Sequence, residues 1–441
     1  MRGSGSNGMT AAKSLSPPSN ETRAKLRRRL LPFVFLLYIT SYLDRANVAF
    51  AKMPMSADLG FSEAVFGFGA GIFFIGYMLF GIPGAMLIER SSASRWIARM
   101  LIAWGCCTVF CGLVKTPMQF NICRFVLGCA EAGFFPGVIV YFSHWFAKKE
   151  RARAMAGFII GIPVALALGA PFSALILRLH WLGLPGWRWV FILQGVAPVI
   201  LGVITFFYLT DHPRQAKWLT EQEREQIAAE LEQETREKDA VETITPWQAL
   251  RMRAVLTLAV ALCLANLGGY AFILWLPTII RNKSTLSVGM ATACSALPFA
   301  TGLFSVRLAA RSSDRTGERR LHAAVPLLLM AGFFTMSTVP GQPFALVLVW
   351  LCLTGAAGYA WPPPFWVLPT TALTKSAAAA SIGLINVIGN LGGFIGPAVV
   401  GRLLSLQYSY TVAIVFLSVS FLLAGVLILT TRSPRRLRSN G

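Results

Sequence analysis

The sequence predicts an all-α integral membrane fold of twelve transmembrane helices in two six-helix halves, and three observations lead there. The chain is 55% hydrophobic and only 13% charged over 441 residues, with a mean hydropathy of +0.60, too apolar for a soluble globular protein. Apolar windows of about 20 residues, the length a helix needs to cross roughly 30 Å of hydrocarbon, recur along it. Basic residues gather on alternate connections between those windows, as the sidedness rule for inserted helices requires.

The windows lie at 30–52, 65–88, 97–115, 118–143, 153–178, 188–209, 254–281, 290–311, 321–338, 343–372, 377–404 and 409–431. The tenth is overlong and contains Pro362-Pro363-Pro364, so its lower end is expected to break. Lys and Arg cluster at Arg23 to Arg29, Arg90 to Arg99, Lys148 to Arg153, Arg214 to Arg253, Arg307 to Arg320 and Arg432 to Arg438. If the helices alternate in direction, all six clusters fall on one side, which puts both termini in the cytoplasm. The formal charge of +21 is therefore a membrane signal; no basic stripe interleaved with exposed aromatics points to nucleic acid.

All eight cysteines fall inside predicted helices, and Cys106, Cys107 and Cys111 have no nearby His or carboxylate to complete a metal site, so they read as core packing. No metal or cofactor is expected. Met1 to Gly8 reads as an expression scar, followed by a cytoplasmic segment to residue 29. The first apolar run is too long for a signal peptide and carries Asp44-Arg45, so it reads as a retained helix. The N-terminal half then spans 30–210, a cytoplasmic linker 211–253, the C-terminal half 254–431 and a cytoplasmic tail 432–441. Within the linker, Thr220-Glu221-Gln222-Glu223 offers a capping box for a short amphipathic helix in an otherwise solvated segment.

An internal repeat supports the division. Ala85-Met86-Leu87-Ile88-Glu89-Arg90, with Arg95, follows the second window; Ala310-Arg311-Ser312-Ser313-Asp314-Arg315, with Arg319, follows the eighth, offset by 225 residues. One copy would be a capped turn, whereas two at matching positions indicate paired halves. With Tyr42-Leu43-Asp44-Arg45-Ala46-Asn47 in helix one and Arg124 and Glu131 in helix four, the chain resembles the major facilitator superfamily. More narrowly, it resembles the anion:cation symporter family of bacterial tartrate, phthalate and sugar-acid permeases, which is similar to sialin and the vesicular glutamate transporters. The resemblance covers essentially all of Leu30 to Thr431.

Of nineteen Asp and Glu residues, only Asp44 and Glu131 lie well inside a predicted helix. An ionisable group at that depth is costly unless it is paired, and it is usually functional. Asp44 is about 14 residues, roughly 21 Å, from the cytoplasmic end of helix one, and Arg124 is about 6 residues, roughly 9 Å, from the outer end of helix four. Those depths coincide in a 30 Å core, so Asp44 and Arg124 are expected to pair. Glu131 lies two turns below Arg124 on nearly the same face, within reach of Arg45. Static salt bridges are the competing reading, but buried pairs often add little net stability.

Carboxyls that can titrate beside guanidiniums that cannot suggest proton coupling. The resemblance implies the same: residues matching Asp44, Arg45, Arg124 and Glu131 carry proton coupling and anion binding in that family. Asp44 and Glu131 are thus the candidate proton carriers, and Arg45 and Arg124 the anion ligands. Tyr42, Tyr77 and Asn47 are further candidate ligands. The second half offers neutral polar groups only: Asn266, Tyr270, Trp361, Trp366, Thr370, Thr371, Asn386 and Asn390. Of these, Trp366, Asn386 and Asn390 are the candidate substrate ligands, the two asparagines sharing a face at i, i+4. Helix five reads Phe158-Ile159-Ile160-Gly161-Ile162-Pro163, without the polar amide of the sugar-acid members.

No G-x-x-x-x-G-K-[ST] loop or H-E-x-x-H motif is present, so neither an ATP-driven pump nor a metal hydrolase is expected. The expectation is a non-enzymatic, monomeric symporter of protons and a small organic carboxylate in the bilayer of a bacterial inner membrane. Rivals on the same scaffold are an exchanger of organic anions or phosphate esters and a nontransporting sensor.

Overall fold

Helices carry all the regular structure of the residues described by the computed structural model, namely 17–89, 92–238, 248, 251–372 and 375–431. The scar at 1–8, Arg90 of the first repeat copy and the tail 432–441 lie outside them, as do the side chains of Thr370 and Thr371. In chain order the helices of the first half are α1 (Asn20–Leu59), α2 (Glu63–Glu89), α3 (Ala93–Cys111), α4 (Pro117–Glu131), α5 (Phe134–Ser143), α6 (Lys148–Ile159), α7 (Gly161–Ile176) and α8 (Gly186–Tyr208). After α9 (Glu221–Lys238), the second half contains α10 (Arg253–Asn282), α11 (Val288–Cys294), α12 (Ala296–Thr316), α13 (Arg320–Met336), α14 (Phe344–Ala360), α15 (Pro362–Ala372), α16 (Lys375–Ser405) and α17 (Tyr410–Thr430).

Four of the twelve passes are broken helices: α4/α5, α6/α7, α11/α12 and α14/α15. The last break falls at Trp361, just before the triple proline, because proline supplies no N–H to the turn before it but fits the first helical turn. By length and composition alone, eight spans of the described residues are long and apolar enough to cross a membrane, and Gly161–Ile176 and Arg320–Met336 are shorter apolar helices. The break between α4 and α5 is packed by Trp96. Its indole Nε1 donates to the Gly133 carbonyl at 3.2 Å, and a methyl on Gly133 would come within 2.6 Å of that nitrogen. Pro136 has no N–H for the Ala132 carbonyl, and Glu131 is the last residue of α4 rather than a mid-helix residue.

The linker forms the capping box read from the sequence: the Glu223 amide donates to Thr220 Oγ1 at 3.3 Å and the Thr220 amide to Glu223 Oε2 at 2.8 Å. The helix it starts is not simply solvated. Lys25 pairs with Glu223 (2.9 Å), Arg23 with Glu230 (2.8 Å) and Arg151 with Glu234 (2.5 Å), so α9 is fastened to α1 and α6 of the first half. Its own Ile227 and Ala228 are buried.

The two halves meet at the ends of the spans remote from the N-terminus and α9, here termed the distal face. The Ala64 amide of α2 donates to Ser405 Oγ of α16 at 2.8 Å. A methyl on Gly67 would lie 2.3 Å from the Pro397 carbonyl oxygen, so only glycine permits this approach of α2 to α16. Lys52, 1% exposed, pairs with Glu63 at 2.8 Å and donates to Thr278 Oγ1 at 3.4 Å, while Trp275 Nε1 donates to Glu63 Oε2 at 3.1 Å. Charges from α1 and α2 thereby hold α10 against them.

Candidate functional site

Glu131 anchors the site from the end of α4. Its Oε1 accepts from Arg45 Nε at 2.8 Å and from Ser41 Oγ, and its side chain is wholly buried. The other carboxylate oxygen, Oε2, is buried with no hydrogen-bond partner among the described residues. Ser41 and Arg45 stand four residues apart on α1, one turn, and so present both donors to one acceptor. The Arg45–Glu131 contact is therefore as the sequence leads one to expect.

The expected Asp44–Arg124 pair is not formed: no ion pair joins them among the described residues. Asp44 Oδ1 instead accepts from Asn47 Nδ2 at 3.4 Å, and Oδ2 is buried and unpartnered. Arg124 turns to the Gly69 carbonyl, donating from Nε at 3.4 Å, and its guanidinium carbon lies 5.0 Å from the centre of the Phe73 ring. Residue counting estimates height along a helix and does not fix the partner a side chain finds there: Arg124 spends its Nε on Gly69 and Asp44 its Oδ1 on Asn47.

Tyr42, Arg45 and Tyr77 form the internal wall of the site, and Phe73 of α2 packs against Arg45. The Phe73 ring centre lies 5.5 Å from the Arg45 guanidinium carbon and 5.0 Å from that of Arg124, so one ring touches both cations. Arg45 also lies over Tyr42 (5.0 Å) and Tyr77 (4.9 Å). A guanidinium held by one carboxylate and three rings is fixed in place without being fully coordinated.

In front of this wall is a cavity of about 530 Å³ between the halves. Tyr42, Arg45 and Tyr77 line it from the first half, and Trp366, Asn386 and Asn390 from the second. Six of the ten residues singled out in the sequence thus converge on one space. Asp44, Asn47, Arg124 and Glu131 stand behind the wall instead, each at most 2% exposed. A second chamber of about 30 Å³ touches Arg45 and Phe73 and reaches Arg124, so Arg45 borders both spaces.

Ser41, Tyr38 and Tyr359 also line the cavity, though nothing in the sequence reading marked them. Ser41 was accessible by spacing, because it lies one turn before Arg45. Tyr359 and Phe73 were not, since an aromatic residue in an apolar helix reads as core whether or not it faces a ligand. Asn266 lines the cavity but spends its amide on the Gly389 carbonyl at 3.0 Å.

The family model described as Major Facilitator Superfamily matches residues 34–397. Among related proteins, one from Agrobacterium vitis named "Putative tartrate transporter" is 38% identical over 426 residues, covering 95% of this chain and 94% of its own. The "Quinolone resistance transporter" of Acinetobacter baumannii is 36% identical over 407 residues, covering 90% and 92%. A solved structure of a bacterial homolog to the human lysosomal transporter Spinster, in an inward-facing and unoccupied conformation, superposes with a TM-score of 0.72 at 19% identity over 93% of this chain and 95% of that one. At that identity the likeness concerns the fold alone. The family match over most of the chain, and the arrangement of its halves around a central cavity, lead to one conclusion: the chain belongs to the Major Facilitator Superfamily and is a multi-pass membrane transporter.

Proposed function

We propose that the chain is a proton-coupled symporter that brings a small organic carboxylate into a bacterial cell across the inner membrane. The observation that carries this reading is the Arg45–Glu131 ion pair at the cavity wall. While both groups are charged, Glu131 neutralises the cation an anionic substrate needs. Once Glu131 takes a proton, Arg45 presents an unshared positive charge to the cavity, and a substrate carboxylate can replace the one lost. Proton and anion then favour each other's binding, which is the requirement for symport.

Asp44 is the second proton carrier and Arg124 its distant counter-charge, placed behind the wall where the substrate does not enter. Tyr42, Tyr77 and Asn47 support Arg45 and Asp44 from the first half, and Trp366, Asn386 and Asn390 meet the substrate from the second. Residues 30–210 and 254–431 act as the rocking halves, 211–253 as their connector, with both termini in the cytoplasm and a monomer as the working unit. The name of the tartrate relative supports an organic acid as cargo. Carrying in more protons than substrate charges gains about 2.3 kcal/mol per positive charge per 100 mV, so the membrane potential would assist uptake.

Proteoliposomes test the reading. Asp44→Asn and Glu131→Gln are each expected to abolish accumulation driven by a pH gradient, and a variant that still concentrates substrate removes its residue from the coupling. Arg45→Ala is expected to lose substrate binding in a thermal-shift measurement against a panel of organic acids; unchanged affinity would reject Arg45 as the anion ligand.

A further inference from the structure

The cavity is built for something other than a polyhydroxylated acid. Among its described lining residues Arg45 is the one that carries a charge. Several of its neutral polar groups are already engaged with the protein: Ser41 with Glu131, the Asn266 amide with the Gly389 carbonyl, and the Asn390 amide with Asn386 Oδ1 at 3.4 Å. A sugar acid or a hydroxylated diacid needs a partner for each hydroxyl once it is enclosed, and a buried hydroxyl left without one costs roughly 1–3 kcal/mol. A second carboxylate would fare worse, because no second cation lines the space among the described residues.

The cavity is well supplied with aromatic surface on both sides. Tyr42 and Phe135 face it from the first half, and Tyr270, Tyr359, Trp361 and Trp366 from the second. Its volume of about 530 Å³ falls in the range of small-molecule sites and leaves room for an acid of one or two rings. Arg45 meets Glu131 through Nε, so that contact does not occupy its two terminal nitrogens. Those nitrogens can take one carboxylate in a bidentate fork.

We propose that the substrate is an aromatic monocarboxylate, its carboxylate on Arg45 and its ring between the aromatic side chains of the two halves. This rests on the symport reading above and narrows it: one carboxylate for one guanidinium, and a flat apolar body that asks for few hydrogen bonds. Ring faces in offset or edge contact supply the remaining attraction.

The test uses the full chain, purified in detergent, with benzoate, 2-naphthoate, phthalate, tartrate, gluconate and benzamide as probes. Affinity is read by thermal shift and tryptophan fluorescence, and proton uptake by the pH of a weakly buffered medium. Benzoate and 2-naphthoate are expected to bind at least tenfold more tightly than phthalate, tartrate or gluconate, and benzamide not to bind. Trp366→Leu is expected to reduce that preference severalfold, with the wild-type panel standing as the test should this variant misfold. Tartrate or gluconate binding as tightly as benzoate, with proton uptake, would overturn the substrate class and leave symport standing. Selective benzoate binding without proton uptake would remove the coupling while the aromatic class survives. No binding by any of the acids would overturn both.

Discussion

Ser41 shows how much a single hydroxyl can matter when it shares an acceptor with an arginine. It donates to the same Glu131 oxygen as Arg45, and the ionised carboxylate is the stronger acceptor for both. Hydrogen bonds to charged groups are worth about 1.5–3 kcal/mol. Ser41→Ala is therefore expected to free Arg45 for an anionic ligand and tighten binding by about tenfold, while Ser41→Thr, which keeps the hydroxyl, leaves affinity near the wild-type value. Thermal-shift titrations of the three proteins at one pH decide it. At this scale the sequence was informative about identity and less so about partnership. Asp44, Arg45, Arg124 and Glu131 stood out because ionisable groups at bilayer depth are few. Their pairing was half legible, since residue counting yields height along a helix and not the partner found there: Arg124 spends its Nε on the Gly69 carbonyl. Phe73, which packs against both guanidiniums, carried no signal at all.

Among the elements, α9 departs furthest from its sequence reading. Its capping box was visible because both partners lie within four residues, but its docking depends on Arg23, Lys25 and Arg151, far away in the chain. Burial works against the charge of Glu223, yet the Thr220 amide and the Lys25 ammonium hold its carboxyl below the usual glutamate range. A carboxyl lowered in this way contributes stability above its ordinary range and loses it as pH falls through the lowered value. Docking of α9 is thus complete at neutral pH and weakens only in acid. Thr220→Ala removes the side chain that caps the helix, at a cost of about 1 kcal/mol. Amides in the first turns of α9 are expected to exchange with deuterium roughly fivefold faster, and unchanged exchange would show that the ion pairs hold the helix without its cap. The helix breaks are a mixed case. Pro362-Pro363-Pro364 announced one of them; the break beside Glu131 lies one turn before Pro136, which has no N–H for the Ala132 carbonyl, and Trp96 packs against Gly133 there from another helix.

For the whole molecule, closure of the distal face depends on a charged contact with little slack. Glu63 meets the Lys52 ammonium and the Trp275 indole together, tying α2 to both α1 and α10. Glu63→Ala would leave Lys52 buried without its carboxylate, a penalty of about 3 kcal/mol that falls on the distal-closed form and is relieved when that face opens to water. A cysteine at Ser405, whose hydroxyl meets the Ala64 amide, is expected to react with a water-soluble maleimide several times faster in the Glu63→Ala background; an unchanged rate would mean the glycine packing of Gly67 on α16 closes the face unaided. The contact has a further consequence for affinity. Lys52 lies on the same helix as Arg45, about two turns beyond it, yet does not line the cavity. If only a fraction f of molecules keeps the distal face shut, a ligand arriving from the terminal side binds with an apparent Kd of Kd/f. Loosening Glu63 lowers f for every ligand alike, so the same substitution that changes no ligand contact should weaken all ligands by one common factor and leave their rank order intact.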